Sequence, residues 1–199
     1  AEESALDCLS KSENMRPMAK AFARILLELT RGNRDTARAI LDATAEFEDE
    51  DQFRHYAALY LDDFELARPG FVKEYPEWFS GPVPETLIDY QVEDAVDAAL
   101  LLQRTGEDER AESLLNVALE NISQKQRNHG ANAFGFLDVR IYALLGQREK
   151  ALLALEECAD LEYLSDWAGL KVLPHYDSIR DDPRFSAALD RLSAAAEIA

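Results

Sequence analysis

Cysteine is nearly absent, with only Cys8 and Cys158 present and no Cys-x-x-Cys pattern. They fall in different repeats of the chain's recurring pattern, which an array would hold apart in space, so a disulfide between them is not expected, and a pair of thiols is compatible with a reducing compartment. Cationic charge is also short: 21 Lys and Arg face 39 Asp and Glu, and the formal net charge of −18 repels phosphate backbones and anionic lipid heads. Direct nucleic-acid binding is therefore not expected. Long apolar runs are missing as well. The longest, around residues 25–27 and 98–102, fall far short of a bilayer span.

Motifs that carry chemistry are lacking too. The histidines His55, His129 and His175 are dispersed, and none stands in a metal-ligand spacing such as His-Glu-x-x-His. There is no phosphate-cradling glycine loop, no Gly-x-Ser-x-Gly elbow and no motif-placed Cys-His pair. Acid pairs abound, but in so acidic a chain no single pair points to general acid-base work. Many of these acids, at 48–51, 107–109 and 181–182, sit where helices should begin. There they complement the helix dipole on a solvated face. No catalytic constellation, metal site or cofactor site is expected.

What is present is a spacing that recurs. Gly32 leads to Ala37, Leu41 and Ala45; Gly106 leads to Ala111, Leu115 and Leu119; Gly146 leads to Ala151, Leu155 and Ala159. A fourth copy starts at Asp62 and continues with Ala67, Phe71 and Tyr75, while Ala5 and Leu9 are read as a truncated fifth. A glycine can take the left-handed conformation that closes one helix, and an alanine five residues on lets the next helix pack closely against it. Each unit then predicts a helical hairpin. With 47% apolar residues, the hairpins can share one core in a single elongated domain spanning 1–199.

The unit starts at Gly32, Asp62, Gly106 and Gly146 are 30, 44 and 40 residues apart, against a tetratricopeptide period of about 34. Tyr142, four residues before Gly146, and the Ala67-x3-Phe71 pair match pieces of the tetratricopeptide signature, whose tryptophan, first-helix glycine and closing proline are missing. The chain thus resembles a degenerate tetratricopeptide array. Its run Leu173-Pro174, Tyr176-Asp177, Ile179-Arg180 and Asp182-Pro183-Arg184-Phe185 resembles the end of the tetratricopeptide regions fused to bacterial winged-helix transcriptional regulators and adenylate-cyclase-like signalling proteins. The resemblance implies an all-α fold, a right-handed superhelical α-solenoid of hairpins with a C-terminal capping helix. It also implies a soluble segment, cytoplasmic or periplasmic, of a parent bacterial regulator; the opening helix, read as the second half of a hairpin, suggests that a preceding part was cut away.

Hairpins are expected at about 15–47, 50–79, 88–124 and 133–161, after a short helix at 3–12 and before a cap at 165–199. Pro17 should enter the first turn of a helix striped by Phe22, Ile25, Leu26 and Leu29. Pro69-Gly70 falls inside a second helix and is expected to form its first turn or a kink. Pro76, Gly81, Pro82 and Pro84 mark a loop that exposes or half-buries Trp78 and Phe79. The polar residues 124–130, with His129, should connect hairpins, and Phe185, Leu189 and Leu192 should cover the last one. The sequon Asn121-Ile122-Ser123 lies on an expected helix and is discounted.

The resemblance places first helices on the inner face of the array. Among the positions three, six and ten residues before the unit starts are Gln52, Tyr56, Leu59, Gln103, Phe136 and Arg140, taken as the candidate inner-face set. Such a mix suits a protein or peptide partner, with aromatics as anchors and Arg140 pairing a carboxylate, and the acidic surround favours a basic partner. Trp78 and Phe79 form the alternative docking loop. The expected function is a non-catalytic protein- or peptide-binding scaffold; the alternative is a helical-repeat enzyme, or enzyme accessory domain, whose site sequence does not reveal.

Overall fold

The recurring glycines close helices as their spacing predicts. In the computed structural model, which describes residues 16–46, 51–129, 136–164 and 167–198, Gly32, Gly106 and Gly146 adopt left-handed conformations with φ of 76°, 83° and 69°. Asp62 does the same at 57°. In each turn the following amide reaches five residues back, Asn33 to Glu28, Asp63 to Ala58 and Glu107 to Leu102 at 2.8 Å, and Gln147 to Tyr142 at 2.9 Å. This is the Schellman closure, which satisfies carbonyls the helix end would otherwise leave open. The alanines five residues after each turn residue, Ala37, Ala67, Ala111 and Ala151, are all completely buried.

The chain divides into two compact units, one ending at Glu74 and the other beginning at Tyr75. The first holds α1 (Pro17–Thr30), α2 (Arg34–Ala43), a 3-10 turn (Thr44–Glu46), α3 (Asp51–Tyr60) and α4 (Phe64–Glu74). α1 packs on α2, α3 packs on α4, and α1 also packs against α3, where Phe22 meets Phe53 and Tyr60 with ring centres 5.5 and 6.1 Å apart. Met18, Ile25, Leu41, Leu59 and Phe71 form its core. Pro69 and Gly70 lie in the interior of α4 rather than in its first turn. The helix continues past the bond that Pro69 cannot donate.

The second unit holds α5 (Pro76–Phe79), α6 (Gln91–Arg104), α7 (Asp108–His129), α8 (Leu137–Leu144), α9 (Arg148–Asp160), 3-10 turns at Trp167–Lys171 and Pro174–Tyr176, and α10 (Pro183–Ile198). α6 pairs with α7, α8 with α9, and α8 packs on both members of the preceding pair. α6 is central, and every residue from 95 to 102 is buried. α7 runs on to His129, so residues 124–129 extend a helix where a connection was expected. Gln, Lys and Arg are good helix formers, and the helix outlasts its apolar stripe.

α10 packs on α9, with Phe185 and Leu192 buried and Leu189 half-buried. Arg184 grips both carboxylate oxygens of Glu156 at 2.7 and 2.8 Å and Glu149 at 3.0 Å, while Arg148 reaches Asp181 and Asp182 at 3.1 Å. Among the described residues there are ten α-helices, no strand, and no helix long and apolar enough to cross a membrane. The helix expected at 3–12 and Cys8 lie outside the described residues.

Candidate functional site

The residues selected for the inner face fall in both units. In the first, Tyr56 is half-buried, its ring 4.3 Å from that of His55 and 5.1 Å from that of Phe71, and Leu59 is fully buried. The Gln52 side chain lies outside the described residues. In the second, Gln103 is half-buried and its amide donates to the Leu144 carbonyl at 2.9 Å. Phe136 is buried with its ring edge-on to Tyr163 at 5.4 Å. Arg140 is buried too; its Nη1 donates to Glu93 at 2.8 Å and its Nε to the Tyr176 hydroxyl at 3.1 Å.

The alternative docking loop is closed rather than open. Trp78 is almost fully buried, stacked on Tyr75 with ring centres 3.7 Å apart and planes 10° from parallel; Phe79 is half-buried. Arg110 of α7 explains why: its guanidinium donates to the carbonyls of Glu77, Trp78 and Gly81. One side chain thereby satisfies the backbone groups that the short α5 leaves open.

A buried polar cluster, not singled out in the sequence, lies around Arg140. His175 Nε2 sits 2.7 Å from Asp97 Oδ1, and both side chains are sealed from water. Burial pushes the imidazole below its ordinary 6.5, with Asp97 and Glu93 pulling it back up and Arg140 adding to the depression. Burial also raises the Tyr176 hydroxyl, against the pull of Arg140. An acid-base pair needs access to a substrate, and this one has a core position joining α6 to the turn before the cap. Cys158, pushed up to about 12 by burial and then by Asp138 and Glu157, stays a thiol at neutral pH.

One exposed feature is built differently. Between α5 and α6 the chain is pinned by Leu87, whose side chain is buried and whose carbonyl accepts from Asn121 Nδ2 at 2.7 Å, and by Gln91, which accepts from the Ile88 amide at 3.0 Å. From this fixed backbone Ile88 and Tyr90 stand 57% and 70% exposed, and the neighbouring Glu85, Asp89 and Glu93 are also exposed. The hairpin expected from residue 88 has its first helix beginning only at Gln91, which leaves Ile88 and Tyr90 outside it. No group of three metal-ligating side chains occurs among the described residues. No protein-family model, curated protein or solved structure matches the chain.

Proposed function

We propose that the chain is a non-catalytic protein- or peptide-binding scaffold, an α-solenoid of degenerate tetratricopeptide-like hairpins acting as the interaction segment of a bacterial regulatory protein. The observation that carries this reading is the outward pair Ile88 and Tyr90 on a backbone held by Asn121 and Gln91. A large aromatic and an aliphatic side chain presented on fixed backbone lose little freedom when covered, which is the economy of a docking epitope. The exposed acids Glu85 and Asp89 favour a partner that brings lysine or arginine beside its apolar contacts. Within the inner-face set, Tyr56 and Gln103 keep some surface for a partner, while Leu59, Phe136 and Arg140 support the packing beneath.

The test is affinity for a panel of basic amphipathic peptides, measured on the full chain and on an Ile88→Ser, Tyr90→Ser variant. Both side chains are exposed, so circular dichroism should be unchanged. Binding should weaken by about tenfold or more. Unaltered affinity would remove this epitope from the reading, and loss in Tyr56→Ala instead would place the contact on the inner face.

A further inference from the structure

Arg54 is half-buried, and its Nε is shut off from water with no hydrogen-bond partner among the described residues; its charge acts on Asp63, whose carboxylate is bonded by Arg38. Other arginines are anchored: Arg38 on Asp63, Arg110 on three carbonyls, Arg140 on Glu93 and Tyr176, Arg184 on Glu149 and Glu156. A guanidinium partly withdrawn from water without an acceptor is unfavourable, and in a chain of net charge −18 acceptors are not scarce. Arg54 lines a cleft of about 220 Å³ between α3 and α4, together with Glu65, Leu66, Pro69 and Lys73. His55 and Gly70 complete the lining. Pro69 has no N–H to give the carbonyl of Glu65, and Glu65 is itself one of the residues lining the cleft.

We propose that this cleft binds a small free zwitterion, an α-amino acid or a close analogue, with its carboxylate on Arg54 and Lys73 and its ammonium on Glu65. Both charge signs are present in one lining, which is the complement of a ligand that carries both. Leu66 and Pro69 give an aliphatic side chain something to cover. The space is that of a single small molecule rather than a peptide strand. A bare inorganic anion would satisfy the cations but leave the Glu65 carboxylate facing it. The cleft lies wholly in the first unit and does not depend on the docking reading of Ile88 and Tyr90.

The experiment is titration of the full chain with L-leucine, acetate and inorganic phosphate, followed through the amide resonances of Leu66, Gly70 and Lys73. L-Leucine should give a saturable shift and bind about tenfold more tightly than acetate or phosphate. Arg54→Gln should abolish saturation. Glu65→Gln should bring L-leucine down to the affinity of acetate. Neither side chain holds another part of the chain, so circular dichroism should stay constant in both variants. Absence of a saturable shift, acetate or phosphate binding as tightly as L-leucine, or an unaltered response in Arg54→Gln would each overturn the proposal.

Discussion

The imidazole of His175, in the turn before the C-terminal cap, lies 2.7 Å from the carboxylate of Asp97 in the middle of α6, and neither side chain touches water. The folded imidazole is held below its ordinary 6.5, so the unfolded chain takes up this proton first. The contribution of His175 is therefore complete above 6.5 and is drawn down as pH falls from there towards the lowered folded value. We expect a lower urea midpoint at about pH 5.5 than at about pH 7.5. Asp97→Asn removes the largest influence opposing the depression, so the His175 ring should titrate lower still by NMR. A His175 midpoint at or above 6.5 would contradict this account.

At Gly70, α4 leaves no room for a side chain against His55 of α3. A Cβ added at Gly70 would lie 2.5 Å from the His55 Cβ and 2.6 Å from its Cγ and Nδ1. An alanine in a helix interior ordinarily stabilises by up to about 1 kcal/mol relative to glycine. Here Gly70→Ala should instead cost about 1 to 3 kcal/mol, because the clash involves the root of the ring, which cannot swing aside. In a His55→Gly background, which removes the opposing Cβ along with the ring, the sign should revert, giving a coupling above about 1 kcal/mol in a double-mutant cycle. Additive effects would show that the contact is not what sets the cost.

The register of the helix pairs was legible because it rests on local sterics. A left-handed turn residue and a small residue five positions later are written into Gly32 and Ala37, or Gly146 and Ala151, without help from distant chain. Pro69-Gly70 was not legible, since a proline inside a helix is tolerated only through packing that sequence does not display. The fate of Trp78 depended on Arg110, a residue whose three carbonyl partners become neighbours only after folding. The candidate sites were hidden for a related reason. In a chain of net charge −18 every arginine has acids within reach on paper, and only the fold shows that the buried Arg54 Nε has no hydrogen-bond partner among the described residues.

Arg110→Met keeps the aliphatic stem and removes the donors to Glu77, Trp78 and Gly81. With those carbonyls left open, we expect a loss of about 2 kcal/mol. Trp78 should also loosen from Tyr75. In a Trp167→Phe background, which leaves one tryptophan, emission should shift to the red. Unchanged emission and stability would mean that the ring stack holds the loop without Arg110.

Ala151 is completely buried at the start of α9, and its amide closes the first helical turn on the Gln147 carbonyl at 3.0 Å. Ala151→Leu should cost about 1 to 3 kcal/mol by overpacking the contact with α8. A thermal midpoint equal to that of the parent would mean that the pair has slack at this position.

Asp62 stands where the other turns have glycine, at φ 57°, a conformation that strains any residue with a Cβ. Its carboxylate pairs with Arg34, but the two side chains are 47% and 50% exposed, and such a pair contributes at most about 1 kcal/mol. Replacing Asp62 by glycine relieves the strain and loses the pair; replacing it by alanine loses the pair and keeps the strain. The Schellman bonds, Asp62 N–H to the Leu59 carbonyl at 3.0 Å and Asp63 N–H to the Ala58 carbonyl at 2.8 Å, are backbone and survive in both. We therefore expect Asp62→Gly to match or exceed the parent in urea denaturation and Asp62→Ala to fall below it, with about 1 kcal/mol between the two variants. The reverse order would show that the ion pair with Arg34, rather than the left-handed backbone, decides what this turn requires.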